Sequence, residues 1–205
     1  MDKQEAIKII TQCAKIYKNN LVGKSLLIVY FIRKTNKYDF FEIKFSESNF
    51  CHLTGVVKQN GLTSSAFYNL CIENKIKESD FEFKDDGTTY MKLSVLPKII
   101  HIQKASQMSG NYNNSGIKLY THRLAGGVNG CMGFINTGET YYSPNTVLKE
   151  DIRNITSEVH RVIATFTKSI SDTLYNKITY CAKKVDLSIL KTNEEIYSKL
   201  VTGLI

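Results

Sequence analysis

The period at which apolar residues recur changes partway along this chain, and that change restricts the possible folds more than any motif does. Over residues 2–20, Ala6, Ile9, Ile10, Cys13, Ile16 and Tyr17 recur at helical spacing with lysines on the other face, which predicts an amphipathic helix that Asn19 and Asn20 end. Residues 25–33 are β-branched and aromatic, and after the turn near Asn36 residues 38–45 alternate loosely, so the two predict an antiparallel hairpin. FCHLTG, residues 50–55, predicts a short strand that stops at Gly55, and residues 64–74 predict a helix with Ala66, Phe67, Leu70 and Cys71 on one side. DDGTT at 85–89 is a turn signal. Because Pro97 cannot sit deep in a helix, residues 88–93 are expected to be extended and residues 94–106 helical, with Ser94 as N-cap and Pro97 in the first turn. Beyond Gly110 the character is β, with strands expected at 117–124, 131–136, 141–147 and 159–168 and Gly126, Gly127, Gly130 and Gly138 at turns. The tail, 187–205, returns to helical spacing at Leu187, Leu190, Ile196, Leu200 and Val201, with Thr192 or Asn193 to cap it and Glu195 in the first turn. The expected class is α+β: N-terminal helices packed on a twisted antiparallel sheet.

The totals bound what such a chain does. Its 205 residues are enough for one full-sized core, and no linker or composition break divides them, so a single domain over 1–205 is expected. With 42% hydrophobic and 22% charged residues the chain folds rather than staying disordered. The longest apolar run, 26–32, is far short of the roughly 20 residues that span a bilayer. The first residues, Asp-Lys-Gln-Glu after the methionine, do not read as a signal peptide, and a cytoplasmic protein with no membrane partner is expected. Five cysteines, an odd number and widely spaced, read as reduced thiols. The net charge of +8 is concentrated in residues 1–50 and favours an anionic partner. Lysine, asparagine and isoleucine usage of this kind also follows from AT-rich coding.

The chemistry-bearing residues point away from metals. His52, His101, His122 and His160 show no HExxH or Cys/His spacing, and LAGGVNGCMG at 124–133 lacks the GK[ST] ending of a phosphate loop. No cofactor or metal site is expected. What remains suits metal-free RNA cleavage, in which a ribose 2′-hydroxyl attacks the adjacent phosphate: histidine moves the proton, and Lys or Arg stabilises the charge that develops. His52 stands beside Thr54 and, in a strand, on the opposite face from Cys51 and Leu53. Strand alternation over 117–124 would put Lys118, Tyr120 and His122 on one face and Leu119, Thr121 and Arg123 on the other. Lys92 lies in TTYMKL. YYSPNTVLKEDIR, 141–153, gathers Ser143, Asn145 and Thr146 around a proline turn, with Lys149 and Arg153 downstream. Each of these also has a plain structural reading, as a half-buried histidine, a solvated lysine or ordinary turn chemistry.

FCHLTG (50–55), AFYNLCIENKI (66–76), FEFKDDGTTYMKLSVLPKI (81–99) and YYSPNTVLKEDIR (141–153) together resemble the phage-associated branch of the barnase, EndoU, colicin and RelE-like nuclease superfamily, in its fourth group. The similarity runs from 50 to 168 and leaves the first 48 residues outside it. The resemblance implies one or two helices packed on a four-stranded antiparallel sheet, and metal-independent cleavage of tRNA or mRNA in conflicts involving phages, mobile elements, toxins and antitoxins. It makes His52, Lys92, Ser143 and Thr146 the catalytic candidates and Thr54, Tyr120, Arg123, Asn145 and Lys149 the substrate-binding ones. It also suggests an antitoxin, immunity or host defence protein as partner. Two other classes stay open: a non-catalytic inhibitor on the same scaffold that blocks a host RNA or defence complex, and a structural protein whose aromatic strands build an oligomer of unknown size.

Overall fold

The computed structural model describes residues 1–114, 119–136, 138 and 140–205. Helix α1 (Lys3–Asn20) opens where the Asp2 carboxylate accepts the Glu5 amide at 2.7 Å, and it buries Ala6, Ile10, Cys13, Ala14 and Tyr17, the face its spacing predicts. Strands β1 (Lys24–Ile32) and β2 (Lys37–Lys44) form the expected antiparallel hairpin. Next come α2 (Asn49–Thr54), the two-residue strand β3 (Val57–Lys58), α3 (Ser64–Ile72), and β4 (Phe81–Glu82), which pairs with β3 in a small separate ribbon. Helices α4 (Thr88–Ile99) and α5 (Ile102–Ala105) follow.

The remaining strands are β5 (Met108–Tyr112), β6 (Arg123–Gly127), β7 (Gly130–Ile135), β8 (Ser143–Leu148), β9 (Thr156–Ser169) and β10 (Lys177–Cys181). They join the hairpin in an eight-stranded antiparallel sheet ordered β2-β1-β9-β5-β6-β7-β8, with β10 also on β9. Strand β9 is long enough to serve two neighbours along one edge: its 156–161 stretch pairs with β5 and its 164–167 stretch with β10, while β1 takes the other edge. The sheet is not closed, but it curls until a single bridge, Ile43 to Tyr142, links β2 to the residue before β8.

Both faces of the sheet are covered, which is why β1 is apolar at nearly every position rather than alternating. Ile28 and Tyr30 face the helical layer and join Tyr17, Phe50, Phe67 and Phe134 in the main core. Leu27 and Val29 face the other way and pack with Phe166, Tyr175, Leu190, Ile196 and Leu200, so the C-terminal tail seals the second face.

Several expectations need correction. FCHLTG is a helix: Phe50 and Leu53 are one turn apart and both buried, and Gly55, at φ 74°, is the left-handed residue that ends α2. Residues 88–93, expected to be extended, are the first half of α4, and Pro97 falls in its last turn rather than its first. Only the carbonyl of Leu93 loses its helical donor there, and the Ile100 amide still reaches the Leu96 carbonyl at 2.8 Å. The strand expected over 117–124 begins at Arg123; Ile117 and Lys118 lie outside the described residues, and 119–122 are irregular. The tail is not one helix but a 3₁₀ segment, Leu187–Thr192, followed by the single-turn α6 (Glu194–Tyr197), which Asn193 caps. Strands β5 and β10 carry no period that marks them in the sequence. The strand expected over 141–147 is β8, so Ser143, Asn145 and Thr146 lie in a strand rather than around a proline turn; Pro144 pairs with Phe134 beside a bulge in which Asn145 is the extra residue.

Candidate active site

A cleft of about 320 Å³ opens where α2, α4 and the β3–β4 ribbon meet strand β8 and residues 119–120. Helix α2 presents His52 outward, because its neighbours Cys51, Leu53 and Thr54 are all turned into the core. Lys92 comes from the second turn of α4 and is only 8% exposed. Its Nζ donates to the His52 carbonyl oxygen at 2.7 Å, so the two candidate residues are tied together through the end of α2.

That tie depends on Gly55. A side chain there would put its Cβ 2.8 Å from Lys92 Cδ, and the φ of 74° disfavours any other residue. Below it, the Thr89 hydroxyl donates to the Gly55 carbonyl at 2.7 Å and accepts the Lys84 amide at 3.0 Å. Helix α4 therefore locks both the end of α2 and the loop that carries Lys84.

Two lysines complete the cleft. Lys58, from β3, donates to the Ser64 hydroxyl at the start of α3 at 2.9 Å, and Lys84 lies just after β4. The lining contains no carboxylate, and among the described residues none of the three lysines forms an ion pair with one. The electrostatic result is unusual. Burial pushes the Lys92 ammonium down to about 8, helped by the like charge of Lys84. His52 is held below the ordinary imidazole value, first by partial burial and then by Lys92, Lys58 and Lys84. At neutral pH the site thus combines a neutral His52 imidazole with a Lys92 ammonium that still holds its proton.

The opposite wall comes from the sheet. Thr146, 3% exposed, and Asn145 lie on β8. Asn145 holds the irregular 119–121 segment at two points, its Nδ2 donating to the Tyr120 carbonyl and its Oδ1 accepting the Thr121 hydroxyl at 3.0 Å. Gly133 on β7 makes room for this: a Cβ there would lie 2.7 Å from Thr146 Cγ2 and 3.0 Å from Thr121 Oγ1. Tyr120 consequently stands at the rim, 72% exposed, edge-on to His122 with ring centroids 5.4 Å apart.

Of the residues singled out in the sequence, the structure brings together His52, Lys92, Tyr120, Asn145 and Thr146. Four others are elsewhere. Thr54 is fully buried and its hydroxyl donates to the Cys51 carbonyl at 2.7 Å, closing α2. Ser143 pairs with Ile135 at the start of β8 and is not part of the lining. Lys149 is exposed beyond the end of β8. Arg123 sits among aromatic rings on the concave face: its Nη1 donates to the Tyr30 hydroxyl at 2.6 Å, and the guanidinium lies 5.1 to 5.7 Å from the Tyr30, Phe41 and Tyr142 ring centroids. Tyr30 in turn donates to Asp39 at 2.7 Å and stacks on His160. Lys58, Lys84 and Ser64 were not legible as site residues. Lys58 is one of the two residues of β3, and Lys84 lies between the two-residue β4 and the DDGTT turn, so neither stands in a segment with a period of its own.

The family comparison joins this geometry to a known group. Residues 9–184 match the model for the phage-Barnase-EndoU-ColicinE5/D-RelE like nuclease4 family. The chain belongs to this nuclease family. The match is wider than the similarity visible over 50–168 and takes in most of α1 and the whole β1–β2 hairpin. No curated protein and no solved structure matches the chain. The helices on an open antiparallel sheet agree with the fold that the family implies, although the sheet has eight strands rather than four. Among the described residues, no helix is long and apolar enough to cross a membrane.

Proposed function

We propose that this nuclease is an endoribonuclease that cleaves RNA without a metal ion, in the cleft between α2, α4 and β8. One observation carries the reading: His52 shares its cleft with Lys58, Lys84 and Lys92, and no carboxylate lines it, an arrangement that holds the imidazole below its ordinary value. Such a site attracts a phosphodiester and repels a divalent cation, whose usual ligands in nucleases are carboxylates. His52 accepts the proton of the ribose 2′-hydroxyl as its oxygen bonds to phosphorus. The bond from phosphorus to the 5′-oxygen breaks, and that oxygen takes a proton from Lys92, leaving a 2′,3′-cyclic phosphate and a 5′-hydroxyl. Lys58 and Lys84 stabilise the added negative charge on the phosphate oxygens. The Thr146 hydroxyl orients the phosphate, Asn145 positions the rim, and Tyr120 offers a ring on which a base stacks. The RNA is tRNA or mRNA in a contest between a phage or mobile element and its host, with an antitoxin or immunity protein as the natural counterpart. Ser143, Thr54, Arg123 and Lys149 take no part in these steps.

The test is cleavage of total bacterial RNA by purified protein in EDTA, comparing the wild type with His52→Ala. Cleavage by the wild type alone, with 2′,3′-cyclic phosphate ends, is the expected result. If neither protein cuts at high concentration while both bind RNA or a host protein, the catalytic reading fails and a non-catalytic inhibitor takes its place.

A further inference from the structure

A second groove, of about 520 Å³, lies apart from the cleft and shares no lining residue with it. It runs between the turn that joins α1 to β1, helix α5, the end of β9 and strand β10. Lys24, Lys104, Lys168 and Lys177 line it, and no acidic residue does. Lys24 and Lys168 are half-buried and fixed at its wall, each with its Nζ 2.7 Å from a backbone carbonyl, of Asn19 and Thr173 respectively. Lys104 and Lys177 are exposed, and among the described residues neither forms an ion pair. The remaining lining is dominated by hydroxyls and amides, including Thr167, Ser169, Thr179 and Asn176, and contains no aromatic ring.

This chemistry suits one part of a nucleic acid and not another. Ammonium groups with short hydroxyls and amides contact phosphate and sugar, whereas reading or stacking a base calls for planar groups. We propose that the groove holds the phosphodiester backbone of the RNA several nucleotides from the bond that is cut. The inference rests on the ribonuclease reading of the cleft. Helix α4 links the two places: Lys92 in its second turn lines the cleft, and α5, next after its C-terminal end, supplies Lys104 to the groove. Lys92 and Ile99 lie seven positions and so roughly 10 Å apart along the helix axis, and Lys104 stands five residues beyond, so an RNA that occupies both places must be several nucleotides long. The groove would thereby favour long RNA over short fragments without choosing sequence.

The experiment compares wild type, Lys104→Gln/Lys177→Gln and the charge-preserving Lys104→Arg/Lys177→Arg on two substrates, a 20-nucleotide single-stranded RNA and a dinucleotide. Binding of the 20-mer is followed by fluorescence anisotropy from low to moderate salt, and dinucleotide cleavage is measured in EDTA. Each phosphate contact contributes about 0.7 to the slope of log affinity against log salt for a single strand. The glutamine pair should therefore lower the slope by about 1.4 and weaken binding at low salt by ten-fold or more. Dinucleotide cleavage should stay within two-fold of wild type, and the arginine pair should restore the slope. An unchanged slope in the glutamine pair, with dinucleotide cleavage intact, overturns the groove assignment and leaves the cleft reading standing. If that pair instead loses affinity for a poly-aspartate peptide while its RNA slope is unchanged, the groove serves an acidic protein and the RNA assignment is likewise overturned. Failure of the cleft reading has a different signature: wild type binds the 20-mer with the expected slope change in the pair but cleaves neither substrate.

Discussion

Two buried charges on opposite sides of the sheet are treated in opposite ways. Glu42, 5% exposed on β2, receives the Tyr175 hydroxyl at 2.8 Å and the Lys199 ammonium at 2.7 Å, both from the C-terminal part of the chain. Lys92, about as buried, has a peptide carbonyl and no carboxylate. A buried charge with a matched partner fastens one segment to another, and removing one side leaves the other stranded. A buried charge kept without its counter-ion, beside a histidine in a cleft, is held at a destabilising position that an anion's charge or loss of the proton relieves. The first arrangement builds the molecule; the second is what the proposed ribonuclease site requires for an anion.

The comparison is most sharply tested at the two charges themselves. Lys92→Met should reduce RNA cleavage about 10²- to 10⁴-fold, the usual range for loss of a proton donor, with no loss of thermal stability. A drop in melting temperature along with activity would assign Lys92 to the fold instead. Glu42→Ala should do the reverse, lowering stability by about 3 to 5 kcal/mol in urea unfolding, while protein that remains folded at low temperature keeps its rate. Gly55→Ala lies between them. The left-handed conformation costs about 1 to 3 kcal/mol for a residue with a Cβ, and the clash displaces the Lys92 stem, so both stability and cleavage should fall. A variant that loses stability but not rate would show that the tie between α2 and Lys92 is unimportant for cleavage.

Smaller effects come from pH. Lys92 is held at about 8, below the ordinary lysine range, so between those values the unfolded chain carries more protons than the folded one, and stability rises with pH. The shift corresponds to about 3 kcal/mol. The stability advantage of Lys92→Met over wild type should therefore shrink from pH 7.5 to pH 9.5, as urea midpoints would show. Cleavage should follow a bell, with an acid limb below 6.5 where His52 takes up a proton and an alkaline limb near 8 where Lys92 loses one. Lys58→Gln/Lys84→Gln should move the acid limb upward, because both ammonium groups help to hold the imidazole below its ordinary value. An acid limb that does not move would leave burial and Lys92 as the causes.

Legibility in the sequence followed the reach of the forces involved. α1 is long and periodic, the β1–β2 hairpin and β9 are long β-branched and aromatic runs, and their residues announce them. α2 and α4 are decided by contacts the sequence does not display: Gly55 reads equally as the end of a strand or of a helix, and Pro97 signals a boundary without saying which end of a helix it marks. The site divides in the same way. Histidine, lysine and hydroxyl types near the motif stretches indicated His52, Lys92, Asn145 and Thr146, because their chemistry is local to each residue. Lys58 and Lys84 matter only through where the β3–β4 ribbon carries them, and lysine is too abundant in this chain for either to stand out. Arg123 failed for the converse reason: its chemistry suits phosphate, but folding surrounds it with the rings of Tyr30, Phe41 and Tyr142.

The single bridge between Ile43 and Tyr142 bears on how the protein behaves in a crowded solution. A sheet of this size ordinarily ends in two strands whose free amide and carbonyl groups invite pairing with another chain. Here the ends meet, with the Lys44 amide donating to the Tyr142 carbonyl and the Tyr142 amide to the Glu42 carbonyl, so part of each outer strand is already occupied. β10 keeps an outer edge, and it is short, interrupted by a bulge between Ile178 and Tyr180, and begins with Lys177. Those are features that discourage strand addition, so the strand edges of a chain with 11% aromatic residues offer little template for a second copy.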